Sequence, residues 1–146
     1  MSSVAATGAR QPLLVVGVIS TERQVRWRQR LRHLYQPYVD RGIVQVFYIL
    51  DGSAQNGLIM ADEIGVPVSR RPDRHCAHKM IGFWKMAGRW PATYYLKTDD
   101  DVTLDLPRIV PLLESLPRHR LFSGILRYSL VNETTLEGVC WSAGAN

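Results

Sequence analysis

Two apolar runs constrain the fold of this chain more than any other feature of its sequence. Residues 12–20 read PLLVVGVIS and residues 43–50 read IVQVFYIL, and both are rich in β-branched residues. Runs of this length without polar alternation are typical of strands that are buried on both faces of a parallel sheet. The sequence therefore predicts an α/β fold, with a mostly parallel sheet and helices on both of its faces.

Helical patterns separate the predicted strands. Pro37 and Gly42 are expected to end the first helix, and Pro111 is expected to kink the last helix or to end it early. The predicted elements besides the two apolar runs are helices at 22–38, 56–64, 74–89 and 106–116 and strands at 66–69, 93–98 and 121–128. The helical residues that we expect to face the core are Trp27, Leu31, Leu34, Tyr35, Tyr38, Ala77, Met80, Ile81, Trp84, Ala87 and Gly88.

The size and composition of the chain exclude several classes of protein. Its 146 residues suit one compact domain over 1–146, of which we expect residues 1–11 to be disordered. Hydrophobic residues make up 46% and charged residues 21%, which excludes a disordered or fibrous chain. The formal net charge is +5, and 15 of the 18 basic residues are arginine, whose planar guanidinium suits a phosphate-bearing partner.

The sequence contains no pattern for export, membrane insertion or zinc binding. The amino terminus lacks the regions of a signal peptide, and no run approaches the ~20 apolar residues of a membrane span. Cys76 and Cys140 do not have the spacing of zinc ligands, although one disulfide remains open for a chain in a lumenal compartment. His75, Cys76 and His78 have no second cluster, so we expect them at a surface or a pocket rim.

Three consecutive aspartates, Asp99–Asp101, follow the predicted strand at 93–98 and are called the aspartate block. Adjacent carboxylates repel one another, and a divalent cation removes that cost. Because side chains alternate along an extended segment, Asp99 and Asp101 are expected to share one side while Asp100 points away. Carboxylate oxygens favour Mg²⁺ or Mn²⁺, which commonly bridge a protein and a diphosphate. The alternative is a solvated turn that caps the following helix.

The predicted strands end in groups that suit a nucleotide. In open parallel sheets, ligands bind beyond the carboxyl ends of the strands. Three of these four ends carry groups suited to a nucleotide and its phosphates. The ends are Ser20-Thr21, Asp51-Gly52, Arg70-Arg71 and the aspartate block.

The segment Leu96–Val102 resembles the K-x-D-D-D-V block of the glycosyltransferase family 31 enzymes, a galactosyltransferase-like and N-acetylglucosaminyltransferase-like group. Residues 28–35 are similar to that family's R-x-x-I-R-x-T-W helix, with Leu34 replacing the threonine and Tyr35 the tryptophan. His78-Lys79 falls where the family has an L-T-L-K-T segment, and of that segment only the lysine is matched, by Lys79. The resemblance covers about residues 13–128 and implies a Rossmann-like fold of the GT-A type.

The resemblance also implies roles for individual residues. Asp101 would be the direct metal ligand, and Asp99 would contact the ribose or uracil of a UDP-sugar and lie beside the metal. The cofactor would be Mn²⁺ or Mg²⁺. The other residues expected to contact or border the nucleotide sugar are Ser20, Thr21, Arg28, Lys79 and Asp100. For Arg28 and Arg32, a solvated flank of the helix is an equal alternative, and Trp27 and Trp84 are expected in the core rather than as sugar platforms.

The implied activity is inverting transfer of galactose or N-acetylglucosamine to a glycan or glycoprotein acceptor in protein glycosylation. Residues 138–146 resemble the start of the family's Y-P-x-Y-C-x-G-x-G-Y segment, with Cys140 and Gly144 as matching points. The family's catalytic base lies beyond that segment, so the resemblance implies that residues 1–146 are an incomplete glycosyltransferase domain, and we expect the base to be missing from this chain. The family implies a Golgi membrane location, whereas a complete chain without signal or anchor would be cytoplasmic.

Two alternatives from other classes stay open. One is a non-catalytic module of the same fold that binds a nucleotide or a partner protein. The other is a basic nucleic-acid-binding domain, suggested by the five arginines between Arg23 and Arg32. No nucleic-acid fold signature accompanies these arginines, so we expect no nucleic-acid partner.

Overall fold

The computed structural model describes residues 11–52, 60–68 and 75–118. The strands within these ranges form a four-stranded sheet in the order β3-β2-β1-β4, and every neighbouring pair is parallel. The predicted α/β fold with a parallel sheet is confirmed. The elements are β1 (Leu14–Ile19), α1 (Val25–Asp40), β2 (Val44–Asp51), β3 (Glu63–Val66), α2 (His75–Ala87), β4 (Tyr94–Asp99) and α3 (Leu106–Ser115).

Helices cover both faces of the sheet, as predicted. Alternate residues of β1 enter two separate cores, which explains why its apolar run shows no polar alternation. The first core joins the sheet to α1 and α3, and includes Leu14, Val16, Val18, Leu31, Tyr35, Leu106 and Val110. The second core joins the sheet to α2, and includes Val15, Ile19, Phe47, Ile49, Phe83 and Ala87.

A glycine in the central strand allows α2 to lie close to the sheet. Gly17 pairs with Phe47 of β2 and with Lys97 of β4. A Cβ atom at Gly17 would lie 2.5 Å from the ring carbons of Phe83 on α2. The fully buried Phe83 ring therefore packs directly on the backbone of β1, at a distance that only glycine permits.

Both internal prolines lie inside helices, so the expectation that Pro37 helps to end α1 is wrong and Pro111 does not end α3 early. A proline removes a single backbone donor and so need not stop the last turns of a helix. After Pro37 the helix continues to Asp40, and Arg41 Nε donates to the Pro37 carbonyl oxygen at 2.9 Å. Gly42 then leaves the helical path with φ of +66°, a backbone conformation that glycine adopts readily.

The segment between β2 and α2 differs from the prediction. Residues 63 and 64 were expected in a helix, but they begin β3, which pairs with β2 from Tyr48–Glu63 to Asp51–Val66. Backbone pairing with an existing strand outweighs the local helical pattern here. The other predicted parts of this region, residues 53–59 and 69–74, lie outside the described residues, as do residues 1–10 and the predicted strand at 121–128.

Several large apolar residues that we expected in the core are exposed. Trp27 and Leu34 of α1 are 39% and 42% exposed, and Ile81 and Trp84 of α2 are both 47% exposed. Both tryptophan assignments to the core are therefore wrong. Each helix instead buries one charged residue, and the apolar residues of the following two turns are buried on the same side of the helix. The residues that α1 and α2 bury are Arg28, Leu31, Tyr35, Lys79, Phe83 and Ala87. In the described ranges, no helix is long and apolar enough to cross a membrane.

Candidate functional site

The strand order creates a crevice at the carboxyl ends of β1 and β4. The chain runs from β1 outward through β2 and β3, and β4 then pairs with the opposite side of β1. The strand order therefore reverses between β1 and β4, and open α/β sheets bind ligands at such a point. An open cleft of about 280 Å³ lies at this position, and we call it the aspartate cleft. Its lining residues are Ile19, Ser20, Thr21, Gln24, Cys76, Lys79, Asp99, Asp100 and Asp101.

Six of the seven site residues predicted from the sequence line the aspartate cleft. They come from three separate parts of the chain, the end of β1, the middle of α2 and the end of β4. The seventh, Arg28, is buried behind the cleft rather than in its lining. The six lining residues are Ser20, Thr21, Lys79, Asp99, Asp100 and Asp101.

The aspartate block turns away from the sheet directly after β4. The backbone N–H of Asp100 donates to the Ile19 carbonyl oxygen at 3.2 Å, and that of Val102 donates to Asp99 at 3.2 Å. Because the chain turns, the strand alternation ends, and the expectation that Asp100 points away from the cleft is wrong. Asp100 Oδ2 accepts a hydrogen bond from Ser20 Oγ at 2.7 Å.

The protein itself compensates part of the charge of the aspartate block. Lys97, two residues earlier on β4, places its Nζ 2.7 Å from Asp99 Oδ1. Asp100 is bonded to the Ser20 hydroxyl, which is in turn bonded to Arg28. Asp101 is exposed at the cleft. The repulsion expected within the block is therefore reduced at two of its three members, and Asp101 is the most accessible to a cation from solvent.

Lys79 is a buried cation beneath the cleft. Its Nζ donates to the Ser20 carbonyl oxygen at 2.8 Å and lies 2.9 Å from Asp51 Oδ1. That Asp51 oxygen is buried without an aligned hydrogen bond, so its attraction to Lys79 is ionic. Lys79 thus links the ends of β1 and β2, and its long aliphatic stem allows this position within the core-facing side of α2.

Arg28 is not a solvated flank of its helix, because its residue is only 4% exposed. Its Nε donates to Glu63 Oε1 at 3.0 Å, and its Nη1 donates to Ser20 Oγ at 3.2 Å and to the Thr21 carbonyl oxygen. The guanidinium therefore joins α1, the edge strand β3 and the segment that follows β1. Arg28 holds the wall of the aspartate cleft from behind.

Arg32 extends this ion-pair network along α1. It bonds both carboxylate oxygens of Asp62, at 2.7 and 2.8 Å, and it also donates to Glu63 Oε1 at 2.7 Å. The hydrogen bonds to Asp62, opposed in part by burial, raise the pKa of the Arg32 guanidinium. Burial acts to raise the pKa of Glu63, but the Arg32 hydrogen bond and the Arg28 charge outweigh it and lower that pKa. Glu63 is consequently an ionised carboxylate shared by two arginines.

The segment that follows the aspartate block is also held in place at Leu104. The hydroxyl of Tyr35, a buried residue of α1, accepts a hydrogen bond from the backbone N–H of Leu104 at 2.8 Å. Asp105 then caps α3, its carboxylate accepting from the Arg108 backbone N–H at 3.3 Å. The short segment after the aspartate block is therefore anchored to α1 before α3 begins.

The described residues contain no group of three or more His, Cys, Asp or Glu side chains arranged to hold a metal ion. Mg²⁺ and related ions are commonly bound by one or two carboxylates, with waters and substrate phosphates as the other ligands. The exposed Asp101 and the neighbouring Asp99 fit such a small carboxylate set. A divalent cation at this cleft would therefore take its remaining oxygen ligands from water and from a bound phosphate compound.

The first turn of α2 carries His75 and Cys76, and these two side chains belong to no metal cluster of the described residues. His75 Nδ1 is 3.5 Å from Asp51 Oδ2, and Cys76 lines the aspartate cleft. Cys76 is disulfide-bonded. The position of Cys76 agrees with the expected pocket rim, whereas Cys140 lies outside the described residues.

Four contributors to the site received no individual role from the sequence, although Asp51 was named among the strand ends and Lys97 lies in the quoted motif. Lys97 could have been found, since residues two apart on a strand share a side and it precedes Asp99 by two. Asp51 ends β2 at the same edge of the sheet. No sequence signal identifies Gln24 or Glu63, because their places depend on how α1 and β3 pack.

Comparisons with protein-family models and with curated proteins do not assign this chain to a family. No protein-family model matches the chain, and no curated protein matches it. The function must therefore be argued from the motifs of this sequence and from the geometry of the aspartate cleft.

Proposed function

We propose that this chain binds a UDP-sugar together with a divalent cation in the aspartate cleft, for inverting transfer of a hexose to a glycan acceptor. The observation that carries the proposal is the position of the aspartate block. The block ends the strand beside β1, so it meets Ser20 and Thr21 at the point where parallel sheets bind nucleotides. Its sequence, Lys97–Val102, is the segment that most closely resembles the glycosyltransferase family 31 motif.

Five of the nine lining residues have a role in this proposal. Asp101 and Asp99 hold the cation, and Ser20 and Thr21 border the base and ribose. Once bound, Mn²⁺ or Mg²⁺ neutralises the charge that develops on the departing diphosphate. Lys79 stabilises the cleft wall through the Ser20 carbonyl oxygen and contributes positive charge beneath the phosphates.

The acceptor side of the reaction is assigned to no residue. Inverting transfer requires a base that removes the proton from the attacking hydroxyl. In the part of the chain that the structure describes, the carboxylates lining the aspartate cleft all belong to the aspartate block. We therefore assign to these residues the binding of the donor and its leaving group.

A lumenal location, in the Golgi as the resemblance implies, is part of the proposal. This location follows from the resemblance to glycosyltransferase family 31. The acceptor would then be a glycan on a protein in the secretory pathway.

Calorimetric titration with UDP tests the proposal. We expect binding that requires Mn²⁺ and that weakens at least about tenfold in Asp101→Ala, since one lost carboxylate ligand removes more than 1.4 kcal/mol. Glu114→Ala is the matched control, because Glu114 is an exposed acidic residue of α3 outside the cleft. Binding that is independent of the metal, or unchanged affinity in Asp101→Ala, would overturn the proposal.

A second candidate is a non-catalytic nucleotide-binding module of the same fold. One observation favours it: the two predicted cations of the pocket, Arg28 and Lys79, are both engaged by protein carboxylates, Glu63 and Asp51. Both candidates bind UDP, so only turnover separates them. Release of UDP from a UDP-hexose that depends on added acceptor and is lost in Asp101→Ala would exclude the module.

A further inference from the structure

We propose that Glu63, on the edge strand β3, is a positioning residue for the aspartate cleft and acts through Arg28 and Ser20 on Asp100. The inference rests on the proposed function, which gives the cleft its ligand. Glu63 does not line the cleft, so any effect on a bound nucleotide must pass through the residues between them.

A continuous chain of side chains joins Glu63 to the aspartate block. Glu63 Oε1 accepts from Arg28 Nε at 3.0 Å, Arg28 Nη1 donates to Ser20 Oγ at 3.2 Å, and Ser20 Oγ donates to Asp100 Oδ2 at 2.7 Å. The chain passes from one edge of the sheet to the end of β4. Glu63 and Arg28 are 35 residues apart in sequence, and Ser20 and Asp100 are 80 residues apart.

The chemistry of these four groups fixes the direction of every hydrogen bond. A guanidinium can only donate and an ionised carboxylate can only accept. Ser20 has one hydroxyl proton, which Arg28 cannot accept. Asp100 Oδ2 at 2.7 Å is a closer acceptor than the Thr21 carbonyl oxygen at 3.5 Å, and it is charged, so the proton is directed to Asp100. The positive charge of Arg28 thus orients the Ser20 hydroxyl, and the hydroxyl orients one carboxylate of the aspartate block.

Burial makes this chain depend on Glu63. The side chains of Arg28 and Glu63 are only 5% and 8% exposed, so water cannot readily replace either partner. Without Glu63, Arg28 keeps its charge but loses the group that aligns its Nε edge. We expect Arg28 then to turn toward Asp100, which would release Ser20 and change the charge presented to the ligand.

The neighbouring carboxylate provides a matched control. Asp62 precedes Glu63 and also pairs with an arginine of α1, but its partner is Arg32, which has no bond to Ser20 or Thr21. A general loss of packing between α1 and β3 would follow from removing either carboxylate. Removing Asp62 takes a partner from Arg32 alone, whereas removing Glu63 takes one from Arg32 and from Arg28. An effect on the cleft that only Glu63→Ala shows is therefore assigned to the pair of Glu63 and Arg28.

The experiment compares Glu63→Ala, Glu63→Gln and Asp62→Ala by amide hydrogen exchange and by UDP titration with Mn²⁺. We expect faster exchange at Ser20 and Asp100, whose amides donate to Ile49 and Ile19, in Glu63→Ala but not in Asp62→Ala. UDP affinity should fall at least tenfold in Glu63→Ala and stay within about twofold in Asp62→Ala. Glu63→Gln keeps an acceptor oxygen and should recover part of the affinity.

The outcomes separate this inference from the proposed function. If the wild-type chain does not bind UDP, the proposed function fails, while unchanged exchange at Ser20 and Asp100 in Glu63→Ala overturns the positioning role independently. Equal losses in Glu63→Ala and Asp62→Ala also overturn it. If Glu63→Ala does not fold, Ser20→Ala breaks the same chain without unpairing a charge, and wild-type affinity with wild-type exchange at Asp100 in that variant contradicts the inference.

Discussion

Replacing Lys79 by methionine tests how the base of the aspartate cleft is built. Methionine keeps most of the apolar stem of this buried side chain, so the loss is almost entirely polar. The Ser20 carbonyl oxygen loses a charged donor at 2.8 Å, and Asp51 loses a cation at 2.9 Å. Breaking a buried ion pair costs about 3–5 kcal/mol. Because the Asp51 side chain is 22% exposed and regains some hydration, we expect the lower part of that range, about 3 kcal/mol.

The measurement is urea and thermal unfolding followed by circular dichroism. For a chain of this size, about 3 kcal/mol corresponds to a fall in Tm of roughly 6–12 °C. Lys85→Met is the control, since Lys85 lies on the same helix but is exposed, and its effect should stay within about 0.5 kcal/mol. A free energy of unfolding for Lys79→Met within that same margin would refute the reasoning. It would mean that the ammonium is unpaired in the folded protein.

Three further predictions concern the packing and the charge network of the fold. Gly17→Ala forces a Cβ atom into the Phe83 ring and should cost about 1–3 kcal/mol, and Phe83→Leu in the same chain should recover part of the loss in a double-mutant cycle. Phe83→Ala should cost about 3–5 kcal/mol, whereas Trp84→Ala, at an exposed position, should cost less than about 1.5 kcal/mol; a reversed order in urea unfolding would contradict the assigned inner face of α2. The ordinary pKa of a glutamate is 4.5, and the pKa of Glu63 is lower in the folded protein, so its ion pairs stabilise the fold above about pH 4.5 and this stability is lost as the pH falls through the folded-state pKa. In Glu63→Gln the free energy of unfolding should therefore fall less steeply with decreasing pH. An unchanged acid dependence would argue against the pairing.

The strands and the edge of the sheet that carries the site could be predicted from the sequence, because their signals are local. The apolar runs at 12–20 and 43–50 contain β1 and most of β2, and the aspartate block marks the end of β4. Parallel strands bring their carboxyl ends to one edge, so the meeting of Ser20 with the aspartates followed from topology alone.

The inward faces of α1 and α2 could not be predicted, because their burial depends on partners far away in sequence. Arg28 and Lys79 occupy core-facing positions only where Glu63 and Asp51 neutralise them. A prediction from the pattern of apolar residues places these charged residues at the surface and wrongly places Trp84 in the core. The same limitation applies to β3, whose four residues are held by pairing with β2 rather than by their own propensity.

The anchors on either side of residues 101–103 have a thermodynamic consequence for ligand binding. Asp100 is tied to Ile19 by its backbone and Leu104 is tied to Tyr35, so only three residues span the two fixed points. Ordering a free residue costs about 1–2 kcal/mol of conformational entropy. In this loop most of that entropy is already lost when the protein folds. A cation that engages Asp101 therefore meets a backbone that is already ordered, and its affinity is not reduced by the ordering of a flexible loop.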